Sequence, residues 1–323
     1  MPETVEQLLA NEDWQGALNL SEQLVASDPS NAKLRCFQGL AFLGLKRFEE
    51  SAAALRKAFL IDERLQADAY QVLALLGQMM QNESVKAQEH LAKARQSMPG
   101  PDYRAVIAEI HKILKPSSYV EIGLLHGDTL LLALKETKCV GMDPDPQLKP
   151  EARDVGKIYK LTSDDFFAQH DLKEAIGEDH FRFAFIDGLH IWEQAFKDFI
   201  NLEKYADKKS IIVIHDCLPL DRISSERVRD SQFWSGDVWK VAVCLREERP
   251  DLKMAMIPTF PTGLCIVAGM DATSTKLGDN FVKYEDQYSK LDYDDYLKHR
   301  AKFPDLLENS PQAIEAWIKS ATA

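Results

Sequence analysis

The chain of 323 residues has no apolar run approaching the ~20 residues that a membrane-crossing helix needs. Its opening residues show no basic stretch followed by an apolar one, so no secretory leader is expected. The five cysteines, Cys36, Cys139, Cys217, Cys244 and Cys265, form no C-x-x-C pair and are odd in number. Cys139, Cys244 and Cys265 lie in apolar runs and read as reduced core residues, which suits a cytoplasmic chain. Positive charge is short as well. Lys and Arg number 39 against 51 Asp and Glu, a net charge of −12, and no segment forms a basic arm. Nucleic acid is therefore not expected as a substrate, because phosphate contacts need lysine and arginine patches. The dinucleotide fingerprint G-x-G-x-x-G is missing too. That removes the pyrophosphate cradle on a helix N-terminus and argues against a nicotinamide oxidoreductase.

What is present is a strand followed by a glycine turn. Residues 119–122 are apolar apart from Glu121, and Gly123 and Gly127 complete the pattern E-x-G-x-x-x-G. A helix is predicted to start after the turn. A second apolar strand, 138–142, then ends in Asp143. Doubly wound sheets hold a nucleoside with such a unit. The glycines allow close approach of backbone to ligand, and the carboxylate can accept hydrogen bonds from ribose hydroxyls.

The rest of the chain divides at Met98-Pro99-Gly100-Pro101, where two prolines flanking a glycine stop a helix and make a short, stiff hinge. Three segments are expected: 1–98 helical, 102–270 α/β, and 271–323 a charged helical extension rich in aromatics. Within 1–98, Trp14 and Phe48 are 34 apart, as are Ala17 and Ser51, and Leu24 and Ala58. The next step lands near Asn82. Asp28-Pro29 marks a turn. This period resembles the tetratricopeptide repeat, which implies stacked helix pairs that bind a protein or peptide partner or support a homo-oligomer. After the hinge, 102–114 reads as an amphipathic helix with Val106, Ile107, Ile110 and Leu114 on one face. Further strands are predicted at 158–161, 183–186, 211–214, 254–257 and 264–267. The last two are too close for a crossover helix and should form an antiparallel hairpin.

The glycine turn with its downstream acid resembles motif I of the class I S-adenosylmethionine-dependent methyltransferases. The resemblance implies a seven-stranded, Rossmann-like α/β sheet that binds S-adenosyl-L-methionine, with Glu121, Gly123 and Gly127 at the turn and Asp143 on the ribose. Ser163 and Asp164 match the region facing the adenine, although Asp164 reads equally as a helix N-cap. Ile186-Asp187-Gly188-Leu189-His190, then Ile214-His215-Asp216, resemble the small-molecule and sugar O-methyltransferase branch that includes macrocin O-methyltransferase. That branch implies Asp187 at the cofactor and in catalysis, His190 as base, and Asp187 with Asp216 as ligands of a divalent metal, usually Mg²⁺. This chain departs from the branch in carrying His215 where a second acid precedes Asp216, which leaves a metal-free site open. A small-molecule acceptor is implied, without its identity. The alternative is a non-catalytic adaptor that keeps the fold.

Segment 217–236, after strand five, is long and polar and reads as a lid. Its Arg222, Arg227 and Arg229 either bind an anionic substrate or pair with Asp221, Glu226 and Asp230. Trp234 and Trp239 are expected to pack against the sheet.

Overall fold

The structure, a computed structural model, describes residues 4–62, 85–229, 233–300 and 306–323. Asn82, where the expected third repeat falls, and Asp230, an expected arginine partner, lie outside these residues. No helix among the described residues is long and apolar enough to cross a membrane. The chain separates into two compact units. One spans 1–90 with 228–232, and the other holds the remainder.

The first unit is helical, with α1 Val5–Ala10, α2 Trp14–Ser27, α3 Ala32–Gly44 and α4 Phe48–Ile61. Asp13 and Asn31 cap α2 and α3 by accepting the amides of Gly16 and Leu34. The backbone itself repeats at the interval of 34. Glu12 and Lys46 both take φ 59°, a left-handed turn before each long helix. The amides of Asn11, Glu12 and Asp13 donate to Gln7, Leu9 and Leu8, and those of Leu45, Lys46 and Arg47 donate to Ala41, Leu43 and Phe42. Small residues set the helix spacing. A Cβ on Gly39 would lie 2.5 Å from Leu55, and one on Gly44 would lie 2.1 Å from the Trp14 ring.

The second unit is built on a seven-stranded sheet in the order β3-β2-β1-β4-β5-β7-β6. Its strands are β1 Ser118–Ile122, β2 Lys138–Met142, β3 Gly156–Tyr159, β4 Phe183–Ile186, β5 Ile211–His215, β6 Lys253–Ile257 and β7 Leu264–Ala268. Strands β1 to β5 run parallel, and β7 is antiparallel to both its neighbours. The predicted hairpin of the last two strands is present, with Ile257 opposite Leu264.

Alternation along the strands feeds two apolar layers. Tyr119, Phe183, Phe185, Ile211 and Val213 face one side, under α6 Tyr103–Leu114. Val120, Ile122, Ala184, Ile186 and Ile214 face the other, under α9 Trp192–Glu203 and α10 Trp239–Glu248. The C-terminal residues belong to both layers. Tyr284, Tyr288 and Tyr296 are buried on the α9 side, and Ile314 and Ile318 on the α6 side. Ala94 and Met98, ahead of the Pro-Gly-Pro stretch, already lie in this core. The stretch is pinned. Asn309 Nδ2 reaches the carbonyls of Pro99, Pro101 and Pro258, and the Thr259 hydroxyl donates to Pro101.

Two sequence expectations need correction. No α-helix follows the glycine turn, only a 3-10 turn at Leu130–Leu132. The turn consumes the residues up to Thr129, and 130–137 fall short of the ~12 residues a full crossover takes. Strand β3 begins two residues earlier than predicted, at Gly156. There a Cβ would sit 2.3 Å from the Cys139 carbonyl oxygen, so glycine admits the edge strand to its neighbour.

Candidate active site

Strand register assembles the site. Ile122 lies opposite Met142 and Ile186, and Ile186 opposite Ile214. The next residue of each strand therefore falls in one row across the carboxyl ends: Asp143, Gly123, Asp187, His215. The row spans the point where strand order reverses, between β1 and β4, which is the position of ligand crevices in such sheets. The ladder runs into it, since the amides of Gly123, Asp143 and Asp187 donate to Met142, Tyr159 and Ile122 at 2.9, 3.1 and 2.8 Å.

The glycines also bring protein loops together. Gly123 has φ +87°, and a Cβ there would lie 2.1 Å from the Asp187 carbonyl oxygen. Gly127 has φ +74°, and its Cβ would lie 2.6 Å from Ala152. Both let one protein loop approach another. Asp143 closes the turn: Oδ2 accepts the amides of Leu124 and Leu125 at 2.9 and 3.0 Å, and Oδ1 accepts that of Asp145 at 2.8 Å. Glu121 is fully buried and takes the Thr129 hydroxyl on one oxygen. Burial pushes its carboxyl up to about 8.

Ser163 and Asp164 lie in the first turn of helix α7 Ser163–Gln169. Thr162 caps this helix by accepting the Asp165 amide, so Asp164 is not the cap. Ser163 donates to Asp198 at 2.6 Å, and Gln194 Nε2 lies 3.1 Å from Ser163, Asp164 and Asp198. Asp198 is buried, and its carboxyl is pushed up to about 7 by that burial. Helix α9 thus holds the start of α7 through two side chains that the sequence did not mark as site residues.

Beyond β4 and β5, four side chains converge. His190 Nε2 lies 3.2 Å from Asp216 Oδ2 and 3.6 Å from Asp187 Oδ1. His215 Nδ1 lies 3.0 Å from Asp187 Oδ1 and 3.2 Å from Asp216 Oδ2. Among the described residues, Asp187, His190 and Asp216 form a group whose donor atoms could hold one metal ion. His190 Nδ1 meets the Trp234 carbonyl at 2.8 Å, and the two rings stack at 5.0 Å. Gly236 allows that approach, because a Cβ there would strike the His190 carbonyl. Asp216 takes φ +62°, a left-handed conformation rare for an acid, and its Oδ1 accepts the Thr262 hydroxyl. The His215 ring lies 4.3 Å from that of Tyr103, the first residue of α6. No sequence pattern marks Tyr103 for this place.

The electrostatics follow from these contacts. Burial opposes charge on both imidazoles, but Asp216 and Asp187 outweigh it. His190 is raised above its ordinary value, and His215 is pushed up to about 10. Burial opposes charge on Asp187 also, yet the two imidazoles hold its carboxyl well below the usual range.

Segment 217–236 is packed down where it is described. Leu218, Ser224, Trp234 and Ser235 are buried. Arg222 and Arg227 pair with acids outside the expected set. Arg222 meets Asp294 at 2.7 Å, and Arg227 meets Glu193 at 2.9 Å and Asp237 at 3.0 Å. Trp239 is buried as expected and lies edge-on to Tyr296.

Residues 120–217 match the family model of a methyltransferase domain. The match starts inside β1 and ends just past Asp216, so it contains the entire row and the four-residue cluster. No curated protein sequence matches the chain. Solved structures similar to it include an O-methyltransferase from Bacillus cereus in complex with SAH, at 13% identity and TM-score 0.39, covering 61% of this chain and 97% of that one. Another is an O-methyltransferase of tomaymycin synthesis from Streptomyces achromogenes in complex with SAM, at 12% and 0.41, covering 61% and 96%. A third is an SAH-bound methyltransferase from Podospora anserina, at 15% and 0.38, covering 58% and 89%.

Proposed function

We propose that the protein transfers a methyl group from S-adenosylmethionine to a hydroxyl oxygen of a small molecule. The observation that carries this is the row Asp143, Gly123, Asp187, His215 at the reversal point of the methyltransferase sheet. The nucleoside lies across the Gly123 turn, with Asp143 toward the ribose and the Ser163–Asp164 pair toward the adenine. Asp143 then has two tasks, since it also shapes the turn. Glu121 sits behind the turn in the apolar layer and supports it through Thr129.

The sulfonium is an activated donor, so the protein must align three atoms, exclude water and manage one proton. Trp234 and Ser235 are buried against the His190 side of the crevice, which limits water there. Asp187, His190 and Asp216 would hold a divalent cation beside the acceptor. Such an ion, when bound, lowers the pKa of an acceptor hydroxyl. His190, expected as a base, suits the place of a ligand better. Its Nε2 faces two carboxylate oxygens, which favour the protonated ring when no cation lies between them.

The helical unit is proposed as a tetratricopeptide-like module for a protein partner or a second copy of the chain. Its 34-residue repetition supports this. The five free cysteines suit a reducing cytoplasm. The competing adaptor reading draws on Asp143, whose carboxylate already serves three amides. Calorimetry with S-adenosylhomocysteine separates the two. The enzyme binds it, and Asp143→Ala weakens binding by roughly 1–3 kcal/mol, the range for lost hydrogen bonds to a buried ligand. No binding by the wild type removes the methyltransferase reading.

A further inference from the structure

We infer that Asp187, His190, His215 and Asp216 form a mixed nitrogen-and-oxygen site for a borderline d-block dication, such as Fe²⁺, Co²⁺ or Zn²⁺, and not a Mg²⁺ site. The inference rests on the proposed ion-holding role of the cluster and extends it to His215 and to the kind of ion.

Geometry comes first. The four donor atoms are Asp187 Oδ1, His190 Nε2, Asp216 Oδ2 and His215 Nδ1. Their contact distances are 3.6, 3.2, 3.2 and 3.0 Å, and each oxygen touches both nitrogens. A cation about 2.1 Å from each ligand separates neighbouring donors by about 3.0 Å at right angles and about 3.4 Å in a tetrahedron. The observed contacts bracket those values. Asp187, His190 and Asp216 already stand where one ion could bridge them, and His215 Nδ1 touches both of the same carboxylates.

The support around the donors points the same way. His190 gives its other ring nitrogen to the Trp234 carbonyl at 2.8 Å, the contact that fixes a ligating imidazole in one tautomer. The remaining oxygen of Asp216 is taken by the Thr262 hydroxyl, which leaves Oδ2 for the cluster. His215 Nε2 is buried with no hydrogen-bond partner among the described residues, and its ring is held against Tyr103. Its other nitrogen, Nδ1, is the one that faces the carboxylates.

Ligand chemistry then selects the ion. Mg²⁺ demands hard oxygen donors in near-ideal octahedral geometry and gives up water reluctantly. Imidazole suits Zn, Cu, Fe and Ni, and affinities for divalent first-row metals rise from Mn²⁺ through Fe²⁺, Co²⁺ and Ni²⁺ to Cu²⁺, then fall at Zn²⁺. Two imidazoles among four donors therefore tip the balance from Mg²⁺ toward the d-block. Position 215 is decisive, because an acid there would make the set three carboxylates and one imidazole.

The test uses the full chain, stripped with chelator. Co²⁺ is added and visible absorption is followed, in competition with Mg²⁺. One ion per chain is expected, bound at least about 100-fold more tightly than Mg²⁺. His215→Asp should shrink that preference about tenfold or more by weakening Co²⁺ and strengthening Mg²⁺. Asp187→Asn should weaken every ion. Equal or tighter Mg²⁺ binding overturns the inference, and so does an unchanged preference in His215→Asp. If no ion binds while S-adenosylhomocysteine still does, the cluster is a set of ion pairs and only the metal assignment fails. If Co²⁺ binds and S-adenosylhomocysteine does not, the methyl-transfer reading fails and the metal site stands.

Discussion

Replacing Gly123 by alanine isolates the contact on which the site is built. The substitution costs twice. An L-residue at φ +87° is strained by about 1–3 kcal/mol. The new Cβ would also lie 2.1 Å from the Asp187 carbonyl oxygen and 2.5 Å from its carbon. Those are backbone atoms at the end of a buried parallel strand and cannot swing aside. Overpacking of that kind adds about 1–3 kcal/mol. The total is roughly 2–6 kcal/mol, and at ~2–4 °C per kcal/mol for a unit of this size the melting temperature falls by some 5–20 °C. Gly177→Ala is the matched control. Gly177 has φ +69° at a helix C-terminus, and the nearest atom to its Cβ would be the flexible Lys138 Nζ at 3.8 Å. Strain alone should cost about 1 kcal/mol there. Urea unfolding of both variants gives the difference directly. If Gly123→Ala is no less stable than Gly177→Ala, the tight approach of the β1 and β4 loops is refuted. The account of why glycine stands at 123 goes with it.

Stability against pH reports on Glu121. Its folded-state value of about 8 exceeds the ordinary 4.5, so the protonated form is preferred in the folded chain. The stability it favours is full below about pH 4.5 and is lost as pH rises toward 8, at up to about 1.4 kcal/mol per pH unit. Glu121→Gln should match wild type at pH 4.5 and exceed it at pH 8.5 in thermal unfolding, and equal slopes would remove the effect. His111 acts on the acid side. It is fully buried against Tyr119 and Phe183, and burial lowers it to about 4. Its contribution is full above about pH 6.5 and is lost as pH falls toward 4, so His111→Phe should flatten that limb of the stability profile. Asn309→Ala removes the amide that reaches three carbonyls, and should cost about 1–3 kcal/mol in urea unfolding. No loss would show that the Pro99–Pro101 stretch is held by other means.

What the sequence discloses and what it hides divide along one physical line. Strands buried on both faces read as apolar runs, so β1, β2, β4 and β5 were legible almost to the residue. A parallel ladder converts those runs into neighbours, which is why Asp143, Gly123, Asp187 and His215 could be named before their row was seen. Asp187, His190 and Asp216 do converge, together with His215. Contacts made across loops carry no such period. Nothing local signals that Gly123 faces the carbonyl of Asp187, that Asp143 spends three acceptor sites on amides, or that Arg227 finds Glu193 and Asp237 in place of nearer acids. The helix expected after Gly127 failed for a related reason. Residues 130–137 have the composition of a helix start, but the distance left to β2 forbids one.

Position 215 shows where such hidden geometry becomes chemistry. In sequence it is a histidine beside an aspartate at a strand end, a small departure from a pair of acids. In the structure it exchanges a negative donor for a neutral or positive one at the centre of a buried cluster. His215 Nδ1 touches both carboxylates that His190 Nε2 touches. A proton on each imidazole and one dication among four donors are thus two ways of meeting the same need for positive charge between Asp187 and Asp216. Which of them prevails depends on pH and on the affinity of the ion at hand, and a change of the single side chain at 215 should move the balance.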